Sequence, residues 1–421
     1  MIYKNLTYRL FIVFWPLIML NYFLLMRTGY NLTLLFVYAP LVFFAVKAFE
    51  IWSKNKNNQF IVLLGLYAFY VLASVVCYAF NGTPIVCYYR TILNYFLPIC
   101  FAFIGYSLSD DNKYYKYYLY SCAFCFIVGF YLMATFPPYY VEYLQTTVQD
   151  HEDFGRQDLM ESIRFCSFLG SSYNISYISI PALILSLSFA SKPETGIKKW
   201  LCYVIAMVSF VAAIICQQRI AIFFAIIIVL FYSYYILKHG NNKLVFVYIL
   251  LTVLIVSVVG SYIQGLEVFD SLRENVLDRF HKMDVSVAMS SRTGQYTGFS
   301  RATWWSYIIG LGMGSCGHLV IPFNLEGVYD GEFVKTFYEF GIIGSAIFAL
   351  LVLLTLVRGI KLFKYLHQEF FIMLFFLGAC VGASALTFFI FNSMFWFAMG
   401  RIWNKGYLNM RREYTRSNSI Q

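Results

Sequence analysis

The sequence predicts an all-α fold, a polytopic transmembrane helical bundle that forms a single integral membrane domain over residues 1–421. Three observations support this fold class. Hydrophobic residues make up 60% of the 421 residues and charged residues only 12%, whereas about 25% of a soluble domain is charged. Apolar residues are concentrated in runs of about 20, the length at which a helix crosses the hydrocarbon core of a bilayer. The alternating pattern typical of a membrane β-barrel does not occur.

Twelve apolar segments are candidate spans, or eleven if the last two, which are short and closely spaced, form one. In chain order they are Leu10–Met26, Thr33–Phe49, Phe60–Phe80, Ile85–Leu108, Tyr117–Ala134, Ser172–Ala190, Trp200–Ile215, Ile220–Leu237, Leu244–Ile263, Val334–Val357, Phe370–Thr387 and Ile390–Trp403. No small-residue cleavage site follows the first segment, so we interpret it as a retained helix rather than a signal peptide.

The distribution of basic residues predicts which ends of the spans face the cytoplasm. Twelve spans place both termini on one side, and 20 of the 31 Lys and Arg residues fall on that side, as expected for the cytoplasmic side. Fourteen of the 16 lysines are inside, but nine of the 15 arginines are outside. Because Arg binds phosphate bidentately, this predicts an external phosphate-bearing ligand. Alternatively, the external arginines pair with external carboxylates.

Two long external loops are predicted, over residues 137–171 and 264–332, and the cytoplasmic connections are short. Helix-start patterns at Asp158 and Ser271 predict short helices in these loops. The basic residues form no stripe, which argues against nucleic acid as a partner, and no P-loop occurs. The Cys122–Cys125 pair lies within an apolar run, where two buried hydrophobic side chains are expected.

The second loop contains a glycine-rich turn. Its glycines alternate with larger residues, follow two adjacent tryptophans, and are expected to let exposed backbone amides cradle an anion. The tryptophans are either membrane-interface anchors or a surface on which a sugar stacks. The residues assigned to this glycan-binding turn are Trp304, Trp305, Gly310, Gly312, Gly314 and Gly317.

Acidic residues follow the turn and provide three candidates for a general base: Asp330, Glu332 and Glu339. Glu332, Lys335 and Glu339 lie on one face of the helix that starts there. A structural alternative to catalysis is an i,i+4 ion pair between Lys335 and Glu339. Asp330 and Glu332 would also suit a divalent cation, although no metal site is predicted.

These motifs resemble the O-antigen polymerase and ligase superfamily of bacterial envelope glycan assembly. The resemblance is sharpest over Arg301–Gly344, in the order Arg, Trp, glycine-rich turn, Asp330-Gly331, Glu339 and Gly341-Ile-Ile-Gly344. Gln217-Gln218-Arg219 is similar to the family's short arginine turn between two central spans, and Arg301 with Gly317 matches a polymerase motif. The ligase branch has His where this sequence has Asp330, which favours the polymerase branch.

The resemblance implies a polymerase that acts without a cofactor on the external face of the bacterial cytoplasmic membrane. Its donor would be an undecaprenyl-diphosphate-linked oligosaccharide, and its acceptor the non-reducing end of a second lipid-linked repeat unit. A chain-length regulator protein is a further expected partner. Alternatives are an O-antigen ligase and a lipid-linked glycan flippase or transporter. The residues expected to bind the diphosphate are Arg219, Arg301, Arg90, Arg164 and Arg292.

Overall fold

A computed structural model of the chain describes residues 2–108, 112–147, 164–191, 196–239, 303–323, 325, 331–383, 385–386 and 389–404, and over these ranges it contains helices and no strand. They form two compact units, each described by itself. Unit 1 consists of Met1–Phe11, Tyr38–Asp111 and Ser286–Gln421, and unit 2 of Ile12–Val37 and Asn112–Val285.

Fifteen α-helices occur in the described ranges. They are α1 (Ile2–Thr28), α2 (Ala39–Lys54), α3 (Gln59–Ala73), α4 (Tyr78–Asn81), α5 (Ile85–Thr91), α6 (Leu97–Ser107), α7 (Asn112–Thr135), α8 (Pro138–Thr147), α9 (Ser172–Ser191), α10 (Lys199–Ile215), α11 (Arg219–His239), α12 (Trp304–Ile309), α13 (Glu332–Lys361), α14 (Phe363–Gly382) and α15 (Phe389–Ile402). Short 3₁₀ or π-helical turns precede α2 and join α3 to α4 and α5 to α6.

Eight helical segments in the described ranges are long and apolar enough to cross a membrane. They are Leu6–Thr28, Leu34–Lys54, Gln59–Asn81, Ile85–Ser107, Asn112–Thr135, Ser172–Ser191, Glu332–Lys361 and Phe363–Gly382. Lys199–Ile215 and Arg219–Tyr235 are shorter apolar helices. The protein is therefore a helical membrane protein of the multi-pass type.

The helices coincide with the predicted spans wherever the structure describes them, and the last predicted pair forms two helices, α14 and α15. The predicted span Leu244–Ile263 and the helix starts at Asp158 and Ser271 lie outside the described residues. The first predicted long loop does contain a short helix, α8. The total of twelve spans and the cytoplasmic position of both termini stay predictions.

Unit 1 is held together by a close crossing of α6 and α15. A Cβ atom added at Gly105 would lie 2.6 Å from the carbonyl oxygen of Phe397, so the crossing depends on a small residue, as in many membrane helix pairs. Next to it, the side-chain amide of Asn404 donates to the carbonyls of Tyr106 and Leu108, at 2.8 and 2.7 Å. These bonds satisfy backbone acceptors at the end of α6 that have no partner within the helix.

Unit 2 is built around α9, whose residues are buried along nearly the whole helix. A helix that is apolar on all sides is expected in the interior of a bundle. Its serines bond to carbonyls one turn earlier, for example Ser186 to Leu183 at 3.0 Å. The Tyr118 hydroxyl of α7 donates to the carbonyl of Ile178 at 3.0 Å, so this buried hydroxyl has the partner that its burial requires.

Candidate functional site

The first turns of α13 direct three ionisable side chains into the interior of unit 1. Glu332, Lys335 and Glu339 are 1%, 3% and 1% exposed, so the helix face that they were predicted to share points into the interior. The predicted ion pair is present, with Lys335 Nζ 3.9 Å from Glu339 Oε1. The Glu332 carboxylate accepts the backbone N–H of Leu386 at 3.1 Å, which ties the start of α13 to the segment after α14.

The amides of the glycine-rich turn bind a group of the protein itself, the carboxyl group of Glu339. Glu339 Oε1 accepts the backbone N–H groups of Gly314 at 3.0 Å and Cys316 at 3.2 Å. The turn is buried throughout Gly310–Gly317, which corrects the expectation of exposed amides. Apolar side chains within it, such as Leu311 and Met313, pack inside the unit, and its amides then need a partner from the protein itself.

The alternating glycines are required by close backbone contacts. Gly310, Gly312 and Gly314 have φ values of 87°, 94° and 83°, a region that other residues rarely adopt. A Cβ atom at Gly312 would lie 2.7 Å from the Ser74 carbonyl oxygen, and one at Gly314 would lie 2.7 Å from that of Cys87. Gly317 also has a positive φ, 87°. The glycines thus allow close approach, as predicted, but of the protein's own backbone.

Polar side chains of α3, α4 and the turn between them hold the glycine-rich turn in place. Ser74 Oγ accepts the N–H of Met313 at 3.0 Å, and the Tyr78 hydroxyl donates to the Met313 carbonyl at 2.7 Å. The Asn81 amide donates to the Leu311 carbonyl. None of these three residues was predicted to contact the turn, although Ser74 and Tyr78 lie four positions apart in an apolar run and so mark one helical face.

Helix α13 is broken at Gly341. This residue has φ 63° and ψ −169° inside the helix, and the break leaves the carbonyls before it without the usual helical donors. The N–H groups of Leu311 and Gly312 donate to the carbonyls of Tyr338 and Glu339, both at 2.8 Å. The Tyr70 hydroxyl donates to the Phe340 carbonyl at 3.0 Å. The turn and the helix break therefore satisfy each other's backbone groups, as burial at membrane depth requires.

A cavity of about 670 Å³ lies beside the turn, within the range of small-molecule sites. The two tryptophans line it, with ring centroids 3.6 Å apart. Trp304 is 61% exposed and Trp305 56%, which is compatible with both predicted roles, interface anchor and sugar-stacking surface. The polar lining residues are Asn81, Thr303 and Ser306.

Unit 2 contains two of the predicted phosphate-binding arginines, Arg164 and Arg219. Arg219 is exposed and begins α11, directly after a turn in which Gln217 has φ 56°. The Gln218 amide donates to Ser172 Oγ at 2.9 Å. Arg164 is partly buried, and burial is the main cause that lowers its pKa, while the charge of Arg219 lowers that pKa slightly further. In the described part of the chain, neither arginine forms an ion pair with a carboxylate.

The described parts of the chain do not bring the other predicted site residues together. Arg90 is exposed in the last turn of α5. Arg292, Arg301 and Asp330 lie outside the described residues. Within the described ranges, no three His, Cys, Asp or Glu side chains are close enough together to hold a metal ion.

Comparisons with known proteins do not assign a family. No family model matches the sequence, and the search of curated proteins finds no match. The resemblance to the O-antigen polymerase and ligase superfamily therefore rests on the motif residues alone.

Proposed function

We propose that this protein is a membrane glycosyltransferase that polymerises glycan repeat units carried on undecaprenyl diphosphate. The product would be an O-antigen or capsule-type polysaccharide, made on the external face of a bacterial cytoplasmic membrane. The observation that carries the proposal is the turn before α11, where Gln217 has φ 56° and Arg219 is exposed. Arg219 and Arg164 are both among the arginines expected to bind the diphosphate.

Partial burial of Arg164 increases the free-energy cost of keeping the Arg164 charge. A bound diphosphate would offset this cost through bidentate, charge-assisted hydrogen bonds. The backbone strain at Gln217 is of the kind that clusters at ligand sites and costs about 1–3 kcal/mol. These features favour a bound anion over a purely structural role for Arg164 and Arg219.

The chemical step that we propose is a glycosyl transfer. The acceptor hydroxyl oxygen forms a bond to the anomeric carbon of the donor chain, and the bond from that carbon to the diphosphate oxygen breaks. The electron pair leaves with the lipid diphosphate, whose growing negative charge the arginines stabilise. The hydroxyl proton passes to a carboxylate. Glu332 and Glu339 already accept backbone N–H groups, which supports Asp330 as the first candidate for this base.

The cavity beside Trp304 and Trp305 supports a place for the glycan within unit 1. Stacked, half-exposed indoles offer an apolar face to a sugar ring, while Asn81, Thr303 and Ser306 supply polar groups at the same cavity. Because sugars present both apolar faces and hydroxyl edges, this lining fits a sugar better than a purely apolar ligand.

A transporter or flippase is the alternative that one observation favours. The break of α13 at Gly341, with buried ionisable groups directly before it, is a feature that transporters use at substrate sites. A deletion strain separates the possibilities. Single repeat units on the lipid anchor indicate a polymerase, carrier-linked polymer that is not transferred indicates a ligase, and intermediates retained inside indicate a flippase.

The direct test is an assay with purified protein and undecaprenyl-diphosphate-linked repeat units. Arg164→Ala and Arg219→Ala are each expected to reduce polymer formation about 10²–10³-fold, the usual effect of removing one donor to a developing charge. Arg219→Lys is expected to stay strongly impaired, because Lys lacks the planar fork. The matched control is Arg27→Ala, an exposed arginine whose guanidinium lies 4.0 Å from the ring centroid of Tyr139. Normal-length polymer from both Ala variants would refute the proposal.

A further inference from the structure

Unit 1 also contains an apolar groove, which shares no lining residue with the cavity at Trp304 and Trp305. Its volume is about 660 Å³, and its walls come from three membrane-spanning segments, Leu34–Lys54, Gln59–Asn81 and Ile85–Ser107. Four of its lining residues are small: Ala45, Ala48, Gly65 and Ala68. The groove therefore lies at membrane depth, and its width results from the small side chains that line it.

One end of this groove is polar and is formed by Trp52 and Lys56. The Trp52 indole lies against Gly65, where a Cβ atom would come within 2.8 Å of Trp52 Cδ1. Lys56 Nζ is 5.4 Å from the Trp52 ring centroid. Among the described residues, the indole N–H has no acceptor and Lys56 has no carboxylate partner. Two hydrogen-bond donors, the Trp52 indole N–H and the Lys56 ammonium group, thus lie where the groove meets the turn between α2 and α3.

The charge around this end is strongly positive. Lys47 and Lys54 share one carboxylate, that of Glu50, with Nζ–O distances of 2.8 and 2.5 Å. With Lys56, three lysines and one glutamate leave a net charge of 3 − 1 = +2. A ligand with its own cation next to its phosphate would bring that cation into this positive region, whereas a net anionic headgroup would not.

We propose that the groove binds one anionic glycerophospholipid of the surrounding membrane. An acyl chain lies along the small residues, and the phosphate accepts hydrogen bonds from Lys56 Nζ and the Trp52 indole N–H. The volume of the groove lies within the range of sites that hold one small ligand, and basic pockets between transmembrane helices suit anionic headgroups. A helix from a second protein copy would fill the apolar part but leave the positive end without a counter-ion.

Trp52 makes the proposal measurable by fluorescence quenching. Wild-type protein and Trp52→Phe are placed in nanodiscs that contain a small fraction of brominated phosphatidylglycerol or brominated phosphatidylcholine, and the Trp52 signal is the difference between the two proteins. We expect the anionic lipid to quench this signal with about fivefold higher apparent affinity, the effect of one lysine on an anionic headgroup. Lys56→Gln should abolish that preference, and Ala68→Leu should abolish quenching by filling the groove.

Two exposed sites on α13 provide matched controls. Lys361→Gln removes an exposed lysine, and Ala349→Leu enlarges an exposed helix residue. Neither lines the groove, so both should quench as wild type does. Equal affinity for the two lipids, or an unchanged preference in Lys56→Gln, would overturn the proposal. Absence of Trp52-dependent quenching by either lipid would also overturn it and would indicate that protein covers the groove.

Discussion

Glu339 takes the place that a bound ligand anion was expected to fill. One of its carboxylate oxygens accepts two backbone N–H groups of the glycine-rich turn and faces the ammonium group of Lys335. Each of these buried donors loses this acceptor if the carboxylate is removed, and the loss of a buried acceptor is costly. Glu339 therefore fixes the glycine-rich turn on α13.

The first prediction concerns this carboxylate. Glu339→Ala leaves two amides and the buried Lys335 charge without this acceptor, so we expect it to lower the free energy of unfolding by about 3–5 kcal/mol. Glu339→Gln retains an acceptor oxygen and should cost about 1–3 kcal/mol. Unfolding of the purified protein in detergent by a denaturant series measures both. The control is Glu50→Gln in a more exposed ion pair, with an expected cost of about 0–1 kcal/mol.

A small decrease in the free energy of unfolding for Glu339→Ala, similar to that of the control, would mean that water or another group accepts the N–H groups of the turn. In that case the Glu339 carboxylate would be available as a base, and the assignment of Asp330 would lose its main support.

The sequence predicted part of this arrangement. The i, i+3, i+7 spacing of Glu332, Lys335 and Glu339 placed them on one helix face, and the i,i+4 spacing predicted the ion pair between Lys335 and Glu339. The two amides could not be predicted, because Gly314 and Cys316 lie 25 and 23 residues from Glu339 along the chain. Such a contact depends on how the turn packs, and helical periodicity carries no information about that.

At the scale of elements, the sequence located the helices well because their length and apolar content are fixed by membrane thickness. It did not predict the break in α13. The apolar run there is continuous, and glycine is common in membrane helices without breaking them. The break depends on α12 and the glycine-rich turn, which reach the carbonyls before Gly341 from a distant part of the sequence.

The second prediction tests the break. A Cβ atom at Gly341 would lie 2.6 Å from the backbone nitrogen of Gly310, and its positive φ disfavours any other residue. We expect Gly341→Ala to destabilise the protein by more than about 3 kcal/mol in the same unfolding experiment. Gly29→Ala is the matched control, since Gly29 has φ 73° but open space around it, and should cost about 1 kcal/mol.

Equal effects of these two substitutions would show that the cost is only that of the backbone angle. The turn would then be able to move away from α13, and the reciprocal hydrogen bonds between them would contribute little to stability.

At the scale of the whole molecule, sidedness is the property on which the proposed external site depends. The described residues establish a multi-pass helical protein. The excess of lysine at alternate connections predicts the side on which each connection lies, because lysine is retained in the cytoplasm during insertion. Since all ten cysteines are buried, an added surface cysteine would report its own position with little background.

The third prediction uses this property in intact cells. Tyr30→Cys, in the exposed connection after α1, should react with a membrane-impermeant maleimide. Asn57→Cys, in the connection between α2 and α3, should react only after the membrane is permeabilised. Both positions are exposed, so a difference in labelling reports sidedness rather than burial. The reverse pattern would place the predicted external loops in the cytoplasm and would exclude access to a flipped, externally displayed donor.

The glycine-rich turn also constrains how the protein can be made. Its partners Ser74 and Tyr78 are synthesised more than 200 residues earlier, as the separations of 239 and 235 positions in these hydrogen bonds indicate. Helices α3 and α4 therefore enter the membrane while the groups that will bond to their polar side chains are still untranslated. Until α13 emerges and docks, unit 1 is an incomplete intermediate with polar groups facing lipid or neighbouring helices. Chains that stop before Glu332 would stay in that state, which makes them natural substrates for membrane-protein quality control.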